Sequence, residues 1–199
     1  MVYQAAALIQ GADPETKEVA LLSQYLKPSE KAGQLKGKVI NNYWVSALQN
    51  SQLDSFISEN DERALENLLN IHRVNEQDSN LLSFKFIFKT NPYYEETTAI
   101  RKLRMEAGKP VSVEGDLLTP KVGKWLTHET RKVNNKSTGD NKMMQGKKIN
   151  SFFDIFLNWN GLDNPKELGR CTNIFKELSE VVLDSYSFFL GLYEMDDLS

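Results

Sequence analysis

Residues 82–89 read Leu-Ser-Phe-Lys-Phe-Ile-Phe-Lys, and Thr90, Asn91 and Pro92 come directly after. Leu82, Phe84, Phe86 and Phe88 occupy every second position and alternate with Ser83, Lys85, Ile87 and Lys89. A period of two sends the aromatic set to one side of an extended chain, so this stretch is a β-strand with one apolar face. Pro92 has no N–H to give to a ladder, and Asn91-Pro92 ends the strand. Glu95–Met105 is then the expected antiparallel neighbour, with weaker strand signals at Leu69–Glu76 and Val111–Leu118. These segments predict a small antiparallel sheet, packed on one face and more polar on the other.

On either side of the sheet the apolar period changes to that of a helix. Within Glu15–Lys27, Val19, Leu22 and Leu26 fall at i, i+3 and i+7, the spacing of an amphipathic helix. Pro28 interrupts it, and Gly33 and Gly37 weaken any helical continuation. A second helical pattern runs through Ile40, Trp44, Ala47 and Leu48. The polar stretch Glu59–Arg63 precedes a short third pattern, Ala64, Leu65 and Leu68. Periodicity returns at Phe152, Phe156 and Trp159. The last element spans Asn173–Tyr193, with Ile174, Leu178, Val181, Phe188 and Leu192 on its apolar face. Glu177, Glu180 and Asp184 stand at i, i+3 and i+7 and form an acidic stripe beside that face. The fold class is therefore α+β. Between sheet and final helix, Thr130–Lys148 holds Arg131, Lys132, Lys136, Lys142, Lys147 and Lys148 against one acid, Asp140. It is polar, has two glycines and no aromatic, and reads as a mobile basic loop.

The chain has 199 residues, with 24 Lys and Arg against 27 Asp and Glu and a formal net charge of −3. That balance argues against a strongly cationic nucleic-acid binder. Cys171 is the single cysteine, so no intrachain disulfide forms, and a reducing compartment is expected. No signal peptide is expected from Met1–Gln10, and no run approaches the roughly 20 apolar residues of a membrane helix. His72 and His128 lack metal-ligand neighbours at helical spacing, and His72 is expected half-buried on a strand. Cys171 has no base nearby in sequence. Gly139 to Gly146-Lys147-Lys148 has six residues between its glycines and no Ser or Thr after the lysine, so it is not a phosphate-binding loop. Neither an enzyme, a cofactor, a metal site nor a small-molecule substrate is expected.

Several stretches together resemble the nucleosome assembly protein family, in particular its SET-like branch. They are Tyr25-Leu-Lys-Pro28 leading through Val39-Ile40 to Asn42-Tyr-Trp-Val45, and Asn60-Asp-Glu-Arg-Ala-Leu65 before a strand. The aromatic strand Phe84–Phe88 ending in Asn91-Pro-Tyr-Tyr94 is the strongest landmark. Ser151-Phe-Phe-Asp-Ile-Phe156 after a charged segment, and Glu167-Leu168-Gly169 before the final helix, complete the order. The likeness covers about Leu21 to Tyr193.

The resemblance implies a dimerisation helix followed by an earmuff-like domain, an antiparallel sheet with helices on its underside. Residues 1–38 would be the helical dimerisation segment, short for the family, with Val19, Leu22 and Leu26 in the contact. Residues 39–199 would be the histone-binding domain, with the basic loop at 130–148. The implied role is a histone chaperone of nucleus and cytoplasm that binds core histones as a homodimer and has no membrane association. Histones are cationic, so the candidate binding carboxylates are Glu177, Glu180 and Asp184, extended by Glu194, Asp196 and Asp197. Glu59, Asp61, Glu62, Glu95 and Glu96 form a candidate second patch. The basic loop is a candidate contact for a nuclear import factor or for DNA. The competing reading is a scaffold of the same fold that binds another nuclear protein.

Overall fold

The computed structural model describes residues 42–134 and 141–192. The expected helix at Glu15–Lys27, with Val19, Leu22 and Leu26, and the acids Glu194, Asp196 and Asp197 lie outside the described residues.

The alternating segment is a strand, β2 (Leu81–Phe88), and Phe84, Phe86 and Phe88 all turn inward and are buried. It pairs antiparallel with β1 (Leu68–Val74) on one side and β3 (Thr98–Glu106) on the other. β4 (Lys109–Gly115) continues the meander beside β3, and a two-residue strand, β7 (Trp159–Asn160), returns to its outer edge. The sheet order is β1-β2-β3-β4-β7. Ile71, Ala99, Leu103 and Val113 share the inward face with the three phenylalanines. Ala107 and Gly108 both have positive φ in the tight β3–β4 turn, a conformation glycine adopts without steric cost.

Helices cover that inward face. Three short pieces precede the sheet: α1 (Tyr43–Gln49), a 3₁₀ turn (Gln52–Phe56) and α2 (Glu59–Leu65). The third helical pattern lies elsewhere than expected. The polar stretch Glu59–Arg63 is itself the helix, and Leu68 already belongs to β1. Ser58 starts α2 with a capping box, its hydroxyl taking the Asp61 N–H while the Asp61 carboxylate takes the Ser58 N–H.

The long helix α3 (Pro165–Leu183) follows the sheet and packs against β1, β4 and β7. Pro165 suits its first turn, where an N–H has no intrahelical partner. Leu168, Cys171, Ile174, Phe175, Leu178, Val181 and Val182 form its buried stripe. The expected single helix over Asn173–Tyr193 therefore begins earlier and breaks sooner. Asp184 leaves helical geometry at φ −134° and ψ 46°, and a short helix α4 (Ser185–Phe189) turns back onto α1. That turn keeps Phe188 in the core but leaves Leu192 53% exposed, so Leu192 is not part of the apolar face.

Ser151 opens a second capped piece, the 3₁₀ turn Phe152–Phe156, in place of the helix that the periodicity predicts. Its rings fill the space between sheet and helices: Phe156 meets Phe86 edge-on at 4.9 Å and Phe153 stacks on Tyr94 at 5.3 Å. Each fully buried Phe contributes about 1.5–3 kcal/mol. Tyr94 is thus a core residue, in keeping with its place after the Asn91-Pro92 turn.

The basic segment is not an irregular loop. β5 (His128–Asn134) and β6 (Asn141–Lys148) pair antiparallel into a separate two-stranded ribbon. Its composition hid this, because a ribbon with little buried surface needs no run of alternating apolar residues.

Candidate functional site

Charge is divided between the two layers of the domain. Strands β1–β4 carry six Lys and Arg against two acids, Glu106 and Glu114. The described helical pieces carry eight Asp and Glu against four Lys and Arg. The net charge of −3 conceals this separation.

On the helical side α3 supplies the central carboxylates. Glu180 is exposed and Glu177 half-buried beside it. Burial raises the Glu177 carboxyl above its ordinary value, and the Glu180 charge raises it further. The two therefore lie close enough to repel, as i, i+3 neighbours on one helix face should. Asp184 is exposed, but it stands on the turn that ends α3, with its carbonyl accepting the N–H of Ser187 and of Phe188. The stripe read from the sequence is thus two coupled glutamates followed by an aspartate at a helix break.

Of the candidate second patch, Asp61 faces the core. Asp61 is completely buried, and besides capping α2 it accepts from Ser151 Oγ at 2.6 Å and Phe152 N at 3.2 Å. Burial raises its carboxyl, opposed by the bonds from Ser151, Ser58 and Phe152. Asp61 thus ties α2 to the 3₁₀ turn and is unavailable to a partner. Glu59 pairs with Arg63. Glu96 takes both the N–H and the hydroxyl of Thr119 at 2.6 Å; burial acts to raise its carboxyl, but these bonds together with one from its own backbone N–H leave it lowered. Glu95 is exposed and lies 4.0 Å from Lys121. Among the described residues no hydrogen bond or ion pair joins Glu95 or Glu96 to Glu177, Glu180 or Asp184.

Two buried polar centres that sequence reading did not single out hold α3 and the sheet in place. Asp154 is buried, and its Oδ2 lies 3.2 Å from Lys148 Nζ and 3.6 Å from Arg170 Nε. Burial raises the Asp154 carboxyl, while Lys148 and the other donors work against that rise. Lys148 also reaches Glu167 at 3.2 Å and sits over the Trp159 ring, which fastens the base of the ribbon to α3. The other centre is Arg101, fully buried on the inward face of β3. The alternation Ala99, Arg101, Leu103 was the available signal, since it places all three on one face.

No group of three or more His, Cys, Asp or Glu among the described residues is arranged to hold a metal ion. Cys171 is buried in the core, and that burial pushes its thiol up to about 12. His72 lies half-buried on β1, where burial and then Lys85 lower its imidazole. No described helix is long and apolar enough to cross a membrane.

The profile described as "Nucleosome assembly protein (NAP)" matches residues 1–189. The chain belongs to the nucleosome assembly protein family. A curated relative, a probable nucleosome assembly protein of Dictyostelium discoideum, is 30% identical over 101 residues, which is 50% of this chain and 32% of that protein. The chain thus spans about a third of that relative's length. Among solved structures, Nucleosome Assembly Protein 1 from Plasmodium knowlesi superposes with a TM-score of 0.60 at 16% identity, covering 80% of this chain and 71% of the other. The nucleosome assembly protein of Plasmodium falciparum gives 0.52 at 18% identity, covering 77% and 68%. At these identities the superpositions establish a shared fold. In this member of the nucleosome assembly protein family the sheet with helices on one face therefore follows the family architecture.

Proposed function

We propose that this nucleosome assembly protein family member is a histone chaperone that receives core histones on the carboxylates of its helical layer and promotes nucleosome assembly or histone transport. The observation that supports the reading most is the Glu177–Glu180 pair, two like charges kept together on an accessible face of α3. Such a pair costs stability in the free protein and is relieved when a cation approaches.

On this reading Asp184 belongs to the same surface, and Glu194, Asp196 and Asp197 further along the sequence are additional contacts. Glu95 is a secondary contact, while the bonds to Thr119 make Glu96 chiefly a structural residue of the β2–β3 connection. Binding requires neither cofactor nor catalysis. On the same reading the chain pairs with a second copy through Val19, Leu22 and Leu26, and works in nucleus and cytoplasm. The ribbon is the segment offered to an import factor.

The test is a titration of the folded protein with core histone pairs near physiological salt, repeated with Glu177→Lys, Glu180→Lys and Asp184→Lys combined. Saturable binding that weakens with salt and drops by at least about tenfold in the triple variant is expected. A folded triple variant with unchanged affinity removes α3 from the site. Absence of saturable binding by the parent chain leaves the scaffold reading.

A further inference from the structure

The β5–β6 ribbon has a composed outer face that takes no part in the proposed histone contact. Its register pairs Arg131 with Met144 and Val133 with Lys142, and paired residues in an antiparallel ladder share a side. Arg131 and Val133 are two apart on β5, so all four side chains project from one face. The opposite face turns towards the domain, where Met143 lies against Gly123 and Thr130 Oγ1 bonds the Gly123 carbonyl at 3.3 Å. Val133 is 45% and Met144 46% exposed, two apolar side chains left in water between two cations.

The ribbon also carries more cations than carboxylates, with Arg131, Lys132, Lys142, Lys147 and Lys148 against Glu129 on its two strands. Arg131 touches Glu129 at 3.1 Å, at a site where both are exposed. Lys132, Lys142 and Lys147 are exposed and form no ion pair among the described residues. Gly146 leaves room for Arg131 to lie across the ribbon: a Cβ there would be 2.8 Å from Arg131 Nε, so a larger residue would shift the side chain. Neither outer edge of the ribbon is paired among the described residues, leaving backbone donors and acceptors on offer.

We propose that this face binds an extended acidic segment of a partner protein, one that carries apolar side chains between its carboxylates. The carboxylates meet Arg131 and Lys142, the apolar side chains cover Val133 and Met144, and the backbone adds as a strand to an open edge. A nucleic-acid backbone fits the charge but not the rest. Phosphate contacts use Lys and Arg and gain nothing from exposed Val133 and Met144. The ribbon surface and the acidic helical layer are then two separate docking sites of opposite sign, so loss of one leaves the other intact.

The experiment measures binding to the full chain of three labelled probes: a peptide alternating Asp or Glu with Val or Leu, an all-Glu peptide of equal length, and a short DNA duplex. The alternating peptide is expected to bind saturably, and more tightly than either other probe by at least about tenfold. Val133→Ser with Met144→Ser should weaken it by about tenfold. Arg131→Glu with Lys142→Glu should weaken it at least as much. All four side chains are exposed, so the variants keep the parent fold, and Lys142→Ser alone provides a milder charge test with the same expected direction. Gly146→Ala, which displaces Arg131, should also weaken the peptide. Equal affinity for the three probes, or full affinity in the Val133→Ser, Met144→Ser variant, overturns the proposal in favour of a plain polyanion site. Preference for the duplex overturns it in favour of a nucleic-acid ribbon, and absence of peptide binding overturns it outright.

Discussion

Arg101, on β3, donates through Nε to the carbonyl of Ile155 at 2.7 Å, fixing the 3₁₀ turn against the sheet. Its remaining donors reach the carbonyls of Asp116 at 3.0 Å and Leu157 at 2.6 Å and the side-chain oxygen of Asn158 at 3.1 Å. Burial lowers the guanidinium to about 10, with Cys171, Asp116 and Glu114 opposing, so it stays charged at neutral pH. A planar fork is needed to serve several acceptors at once, and an ammonium lacks that shape. Arg101→Met leaves buried carbonyls without donors and is expected to cost on the order of 3 kcal/mol. Arg101→Lys should retain the charge but recover only part of that stability, a loss of about 1–2 kcal/mol. Urea unfolding of the two variants checks the order. A parent-like midpoint for Arg101→Met would mean the carbonyls find other donors.

The thiol of Cys171 should be inert in the folded chain. Its pKa near 12 leaves little thiolate at neutral pH, and it is buried. Native protein is therefore expected to react with a disulfide reagent at least about a hundredfold more slowly than urea-unfolded protein. Rapid native labelling would show that the core around α3 opens easily.

These buried groups mark the division between what the sequence made legible and what it did not. The strand at Leu82–Lys89 was legible because three phenylalanines face inward at period two. Ile174, Leu178 and Val181 announced α3 in the same way. Asp61, Asp154 and Arg101 were not legible as core residues, since charged side chains are rarely buried unless bonded, and for Asp61 and Arg101 the main partners lie far along the chain. Asp61 depends on Ser151 and Phe152, some ninety positions away. The ribbon escaped because its sides face water and the domain's loop, with no apolar alternation to report it. The acidic stripe was legible as far as Glu180. Its last member stands on a turn set by Asp184 backbone geometry, which periodicity alone does not encode.

Lys148 is the anchor of the ribbon, and its replacement should be read at a distance. Burial lowers the His128 imidazole below 6.5, Lys148 lowers it further, and Asp154 raises it. Lys148→Gln should therefore move the His128 titration upward, as followed by NMR of its ring protons. The same change removes a counter-charge from Asp154, whose carboxyl should rise further, with a stability loss of about 1–3 kcal/mol because Arg170 remains. A His128 imidazole with a lowered pKa binds fewer protons folded than unfolded. Its contribution to stability is thus complete above the unfolded value of about 6.5 and is lost as pH falls towards the folded value. In Lys148→Gln that window narrows. An unmoved His128 titration would place Lys148 too far away to act on it.

Glu177 gives the binding proposal a proton signature. Its raised carboxyl keeps protons in the folded state that the unfolded chain has released, so its contribution to stability falls as pH rises from the ordinary value of 4.5 through the raised one. Glu180→Gln removes the like charge. It should lower the Glu177 titration and stabilise the free protein at neutral pH by roughly 0.2–0.5 kcal/mol. A bound cationic partner acts in the same direction, holding Glu177 ionised. Histone binding at a pH near the raised value should then release protons, seen as a dependence of calorimetric heat on the ionisation enthalpy of the buffer. The release should shrink as pH is taken above the raised value, and also in Glu180→Gln, where less of the shift remains to be reversed. Binding with no buffer dependence at either pH would place the histone contact away from Glu177, while leaving the sheet and its helical layer as described.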